Sequence, residues 1–136
     1  MHISLRSGEK IYLNGAVIRV DRKVSIELLN DVTFLLEAHV MQPQDTNTPL
    51  RQLYFVVQTM LIDPASADRA RAMFKQSVAL MLEAYEHPQV VASLRIVESL
   101  VSQDRRFDAL KAIRALFPIE ARILAKDGTE TRVAAA

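Results

Sequence analysis

Arg106, Leu110 and Arg114 recur four residues apart, so on a helix the two arginines flank one edge of an apolar stripe. With Arg105, Lys111, Arg122 and Lys126 they outweigh Asp108 and Glu120, a local balance suited to following nucleic-acid phosphates. A second basic group, Arg6, Lys10, Arg19, Arg22 and Lys23, is offset by Glu9, Asp21 and Glu27. Phe107 admits two readings. Its ring is a platform on which a base stacks, or it is a core position, and its period with Leu110, Ile113 and Leu116 favours the core. The arginines likewise admit a plainer reading, in which they only solvate their helix.

Other chemistry finds little support. The three glycines stand apart at Gly8, Gly15 and Gly128, so no glycine loop cradles a phosphate. Absence of cysteine removes disulfides, thiolate zinc sites and a cysteine nucleophile together. His2, His39 and His87 lie far apart without metal-ligand spacing and read as surface or turn residues. No histidine neighbours a serine elbow, and Glu27, Glu83 and Glu98 occupy ordinary surface positions of strands and helices. The expectation is a binding protein without cofactor or metal, not an enzyme. A formal net charge of +1, from 17 basic and 16 acidic residues, is weaker than a dedicated DNA-binding domain carries, so any nucleic-acid surface must be local. The N-terminus has no apolar signal region, and the apolar run Leu53 to Ile62 is broken by Gln58 and too short to span a bilayer. A soluble, cytoplasmic protein is expected, with no membrane partner.

The elements that must position these residues follow from periodicity. Ile3 and Leu5 alternate with polar neighbours, Ser7-Gly8 turns the chain, and Lys10 to Leu13 reads as a strand. Asn14-Gly15 signals a type I′ hairpin, because both residues tolerate positive φ, and Ala16 to Val20 returns. After the polar turn Asp21-Arg22-Lys23, Val24, Ile26 and Leu28 share one face, and Thr33 to Glu37 supplies a further strand. Thr48-Pro49 gives an N-cap with proline at the first helical position, starting a helix to about Leu61. Asp63-Pro64 repeats the device for a helix to about Glu86, whose apolar face carries Ala70, Met73, Phe74, Ser77, Val78, Met81 and Tyr85. Val90 to Val101 forms a third helix. A fourth starts near Asp104 and ends before Pro118, with Ile119 to Leu124 a short strand or helical turn.

The fold expected is therefore α+β: an N-terminal antiparallel β-meander (residues 1–41), a linker (42–48), a bundle of about four helices (49–125) and a disordered tail (126–136). A meander of short strands has two exposed edges, which favours a homodimer built through the N-terminal strands unless the linker folds back over the edge.

Three stretches resemble one family in register. Leu5 to Ile18 is similar to the opening of the flagellar biosynthesis repressor FlbT family, with its Gly-Glu pair before an alternating strand. Thr48 to Met60 resembles that family's Thr-Pro-led helix with its Tyr and Gln, and Arg106 to Arg114 its C-terminal aromatic-Ala-Leu-Lys segment. The resemblance implies post-transcriptional control of flagellin. Its members associate with the 5′ untranslated region of flagellin mRNA, limiting stability or translation, act as activators in some alphaproteobacteria, and work opposite a companion, FlaF. On that reading the RNA-binding residues are Arg6, Lys10, Arg19, Arg22, Lys23, Arg105, Arg106 and Arg114. Gly8 to Ile18 also looks like the start of the RNA-binding regulator CsrA, a likeness that fades after Val20. The competing class is a protein-interaction module or chaperone-like partner of flagellin or assembly proteins, favoured by the near-neutral charge and the apolar helices.

Overall fold

A computed structural model describes residues 1–126 with their side chains. Five strands, β1 (His2–Leu5), β2 (Lys10–Leu13), β3 (Ala16–Arg19), β4 (Val24–Glu27) and β5 (Phe34–Leu36), precede four α-helices. These are α1 (Pro49–Ile62), α2 (Ala67–Ala84), α3 (Pro88–Ser102) and α4 (Arg106–Ala135). The α+β architecture is thus as expected. The tail expected over 126–136 lies, beyond Lys126, outside the described residues.

The β2–β3 hairpin turns through Asn14 (φ 51°) and Gly15 (φ 88°), the backbone a type I′ turn requires. A Cβ on Gly15 would stand 3.4 Å from the Pro64 ring, so the hairpin tip approaches the α1–α2 connection closely. Strand order departs from a simple meander. β2 lies between β3 and β5 in one sheet, while β1 leaves it to pair with β4, Ile3 opposite Ile26 and Leu5 opposite Val24. The cause is local. The turns Arg6–Glu9 and Val20–Lys23 are tied side by side, Gly8 N–H donating to Val20 O at 2.8 Å and Ser7 Oγ to Asp21 O at 3.1 Å. That clasp carries β1 and β4 away from the hairpin together. Ile3, Leu5, Ile11 and Phe34 form the small core between the two sheets.

A larger core joins Leu35 of β5 to all four helices. Phe107 packs against both cores and meets the Phe34 ring at 5.3 Å, so the core reading of this residue holds. On α2 the buried stripe is Ala70, Phe74, Val78 and Met81, whereas Met73 is 52% exposed. One residue is a rotation of about 100° on a helix, which carries Met73 off the stripe that Phe74 centres. α2 starts three residues later than the Asp63-Pro64 signal implies, because Pro64–Ser66 forms a 3-10 turn closed by Ser66 Oγ on Asp63 Oδ2 at 2.8 Å. Between α3 and α4, Asp104 takes φ 58°, with Arg105 N–H on Leu100 O and Asp104 N–H on Val101 O. This is the reverse turn that closes many helices, here without glycine.

The fourth helix runs straight through Pro118, where the sequence led us to expect its end. An interior proline forfeits one hydrogen bond and costs about 3 kcal/mol. Pro118 itself faces solvent, while Leu116, Ile119 and Glu120 around it are buried. The burial of that turn offsets the loss.

Candidate RNA interface and the α1–α4 seam

α1 and α4 pack antiparallel, and three polar contacts mark the seam from end to end. Arg106 Nη1 donates to Met60 O at 2.9 Å, Arg114 Nη1 to the Tyr54 hydroxyl at 3.2 Å, and Leu50 N–H to Glu120 Oε2 at 2.9 Å. The outer two suit the backbone dipole of α1, placing a guanidinium at its C-terminus and a carboxylate at its N-terminus. The first turn of α1 is fully accounted for. Pro49 has no N–H, Leu50 donates to Glu120, and Arg51 N–H and Gln52 N–H donate to Thr48 Oγ1 and Thr48 O. Glu120 is 1% exposed and also accepts from the Tyr85 hydroxyl at 2.8 Å. Gln58, 2% exposed, holds the chain before α1 by donating to Met41 O and accepting from Met41 N–H.

These contacts change how the helical arginines read. Leu110, between Arg106 and Arg114, is wholly buried, so the face they share turns toward the seam. The Arg106 side chain is 21% exposed and also lies 3.5 Å from Asp104. Arg105 pairs with Asp108 at 2.8 Å. The three therefore do not form one open basic face.

The other five expected residues do come together. Lys10 and Arg19 are cross-strand partners on β2 and β3. Arg6 lies in one of the two clasped turns, Arg22 and Lys23 in the other. All five sit at one end of the sheets, and Arg6, Arg19, Arg22 and Lys23 are exposed. The acids there are committed in part: Glu9 accepts from Arg6 N–H, Glu37 from Lys10 N–H, and Asp21 pairs with Arg22 at 3.5 Å.

A cleft of about 240 Å³ opens beside the middle of the seam, against the 3-10 turn Glu37–His39. It was not foreseen from the sequence. Two Arg-x-x-aromatic pairs build it, Arg51 with Tyr54 on α1 and Arg114 with Phe117 on α4. Each arginine lies over the other helix's ring: Arg51 is 4.6 Å from the Phe117 centroid and Arg114 is 6.0 Å from that of Tyr54. The two rings meet at 5.7 Å. The Tyr54 hydroxyl donates onward to His39 O, and burial pushes it above its ordinary pKa against the opposing pull of Arg114. Burial, then the charge of Arg114, pulls His39 below the usual histidine value, and its Nδ1 is buried without a partner. Repetition of Arg-x-x-aromatic was the available sequence signal. The motif stands at Arg51-Tyr54, Arg71-Phe74 and Arg114-Phe117, and nothing in the sequence says that the first and the third face each other.

Among the described residues no cluster of three or more His, Asp or Glu is placed to hold a metal, and no helix is long and apolar enough to cross a membrane. Fold and surface define a small α+β protein in which five cations share one end of the sheets with Glu9, Asp21 and Glu37. The family model described as "Flagellar protein FlbT" matches residues 1–124. The chain is 54% identical over 124 residues to "Probable flagellum biosynthesis repressor protein FlbT" of Allorhizobium ampelinum, covering 91% of this chain and 83% of the relative. Proteins of the same description from Mesorhizobium japonicum (56% over 124 residues, 91% and 84% covered) and Chelativorans sp. (57% over 122, 90% and 84%) are similarly related. The chain belongs to the FlbT family of flagellar proteins. No solved structure matches it significantly.

Proposed function

We propose that the chain is a cytoplasmic post-transcriptional regulator of flagellin expression in flagellum biogenesis, acting by binding rather than by catalysis. It associates with the 5′ untranslated region of flagellin mRNA and limits the stability or translation of that message. Kinship carries this reading: relatives more than half identical over nine-tenths of the chain are described as flagellum biosynthesis repressors. The exposed basic end of the sheets supports RNA contact through Arg6, Lys10, Arg19, Arg22 and Lys23. A salt titration of leader-RNA binding tests it, since each phosphate neutralised on a single strand adds about 0.7 to the fall of log K with log salt. We expect a slope of about −3 or steeper; purified protein that ignores the leader even at low salt would end the proposal of direct recognition.

A specific observation favours a second reading, a module that binds flagellin, an assembly protein or a FlaF-like companion. Met73 and Leu80 on α2 and Ile96 on α3 are 52%, 59% and 56% exposed, apolar surface for which the described residues supply no cover. Binding of such a protein without any salt-sensitive binding of the leader would select this reading.

Self-association belongs with either. β3 is exposed along its whole length, Val17 at 60% and Ile18 at 41%, and forms the outer edge of its sheet. Pairing of two such edges across a two-fold axis makes a homodimer through the N-terminal strands. Light scattering at micromolar concentration is expected to give twice the 15.3 kDa of one chain; a mass near 15.3 kDa rejects the dimer.

A further inference from the structure

We propose that the cleft beside the α1–α4 seam is a nucleotide site, in which Arg51 and Arg114 hold a phosphate and the outer face of the Arg51 guanidinium stacks on the attached base. The RNA reading supplies the source of that nucleotide, a single-stranded segment of bound RNA; the cleft's own chemistry does not depend on it.

Charge is the first argument. No ion pair among the described residues engages Arg51 or Arg114, and the Arg51 guanidinium makes no hydrogen bond there. Two cations therefore converge on one concavity whose acidic lining residue, Asp45, forms an ion pair with neither. A guanidinium presents a planar fork that matches phosphate oxygens.

Preorganisation is the second. Each arginine is held over a ring, Arg51 at 4.6 Å from the Phe117 centroid and Arg114 at 6.0 Å from that of Tyr54. A long side chain so held loses less freedom when a ligand arrives. Arg51 also lines the cleft, and guanidinium planes are surfaces on which unstacked bases lie.

The third is the histidine in the lining. His39 stands on the 3-10 turn Glu37–His39, whose residues Ala38 and His39 line the cleft, and its Nδ1 is buried without a hydrogen-bond partner. A buried polar atom left bare is costly. The His39 residue lines the cleft, so a ligand seated there lies beside its ring. The volume, about 240 Å³, suits one nucleotide rather than a helical nucleic-acid segment.

The test uses the full chain, with inorganic phosphate, adenosine 5′-monophosphate, a short unstructured oligoribonucleotide and an acidic peptide titrated separately by calorimetry. The His39 ring is followed by NMR in each case. Adenosine monophosphate is expected to bind more tightly than phosphate, to perturb the His39 ring and to raise its titration midpoint. Arg51→Gln removes no ion pair or side-chain hydrogen bond, only the contact with the Phe117 ring, and is expected to weaken nucleotide binding about tenfold or more with the thermal midpoint as the check on folding; Arg51→Lys keeps charge without a plane and should recover binding only in part. If wild-type protein binds none of the three phosphate probes at about 10 mM, a range of negligible affinity, the site is refuted. Unchanged binding in Arg51→Gln refutes it too, as does binding of the acidic peptide alone. Nucleotide binding without leader binding upholds the cleft and overturns the RNA reading. Leader binding indifferent to Arg51→Gln does the reverse.

Discussion

Replacing Glu120 by alanine is expected to lower the unfolding free energy by about 3–5 kcal/mol, since hydrogen bonds to a charged group contribute about 1.5–3 kcal/mol each and a donor left bare adds its own penalty. Glu120 is 1% exposed and accepts from Leu50 N–H at 2.9 Å and from the Tyr85 hydroxyl at 2.8 Å. Alanine would leave the Leu50 amide buried in the first turn of α1, where the other early amides are already answered by Thr48. It would also remove the negative group that the dipole of α1 favours, and part the last turn of the seam from the end of α2. Glu120→Gln keeps one acceptor oxygen and the shape, so its loss should be smaller, about 1–2 kcal/mol. Urea denaturation at neutral pH measures both. A loss below about 1 kcal/mol for the alanine variant would mean that water replaces the carboxylate, and that the seam is held by apolar packing.

Reversing Arg19, Arg22 and Lys23 together should weaken binding to the flagellin leader at least about a hundredfold at low salt, and flatten the salt dependence by about 2 units. Their surroundings make the experiment clean. All three are exposed, and among the described residues none makes a contact across the core. Reversal of Arg105 serves as the counterpart on α4. Because Arg105 is already paired with Asp108, its loss is expected to stay within a few-fold. Arg106 and Arg114 are unsuited to this comparison, since one holds the Met60 carbonyl and the other the Tyr54 hydroxyl. Equal and negligible losses from the sheet end and from Arg105 would remove phosphate attraction from the account of this protein.

What could be read from the residues in order was local. Asn14-Gly15 fixed a hairpin because backbone sterics admit few residues at positive φ. Thr48-Pro49 fixed a helix start because a cap and a missing amide act within one turn. The errors were failures of the same local logic. Proline chemistry predicts a helix end at Pro118, but the buried side chains around it outweigh one lost hydrogen bond. The pairing of β1 with β4 depends on a clasp between turns fourteen residues apart, Ser7 and Asp21, which no strand pattern announces. The same holds for the basic residues. Charge counting grouped Arg105, Arg106 and Arg114 as one face, whereas burial of Leu110 turns that face inward. Arg51 went unnoticed because its partner ring, Phe117, belongs to the other end of the chain.

The seam also bears on when the chain can fold. Its three clamps join residues 46, 60 and 70 positions apart. A nascent chain leaving the ribosome can close the hairpin at once, but α1 emerges with its Leu50 amide and its Met60 carbonyl unanswered. Their partners are made much later. Until Glu120 is outside the tunnel, α1 shows bare apolar surface, and docking of α4 is the step that completes the core. The first helix is thus made well before the helix that covers it, and its apolar surface stays bare for that interval.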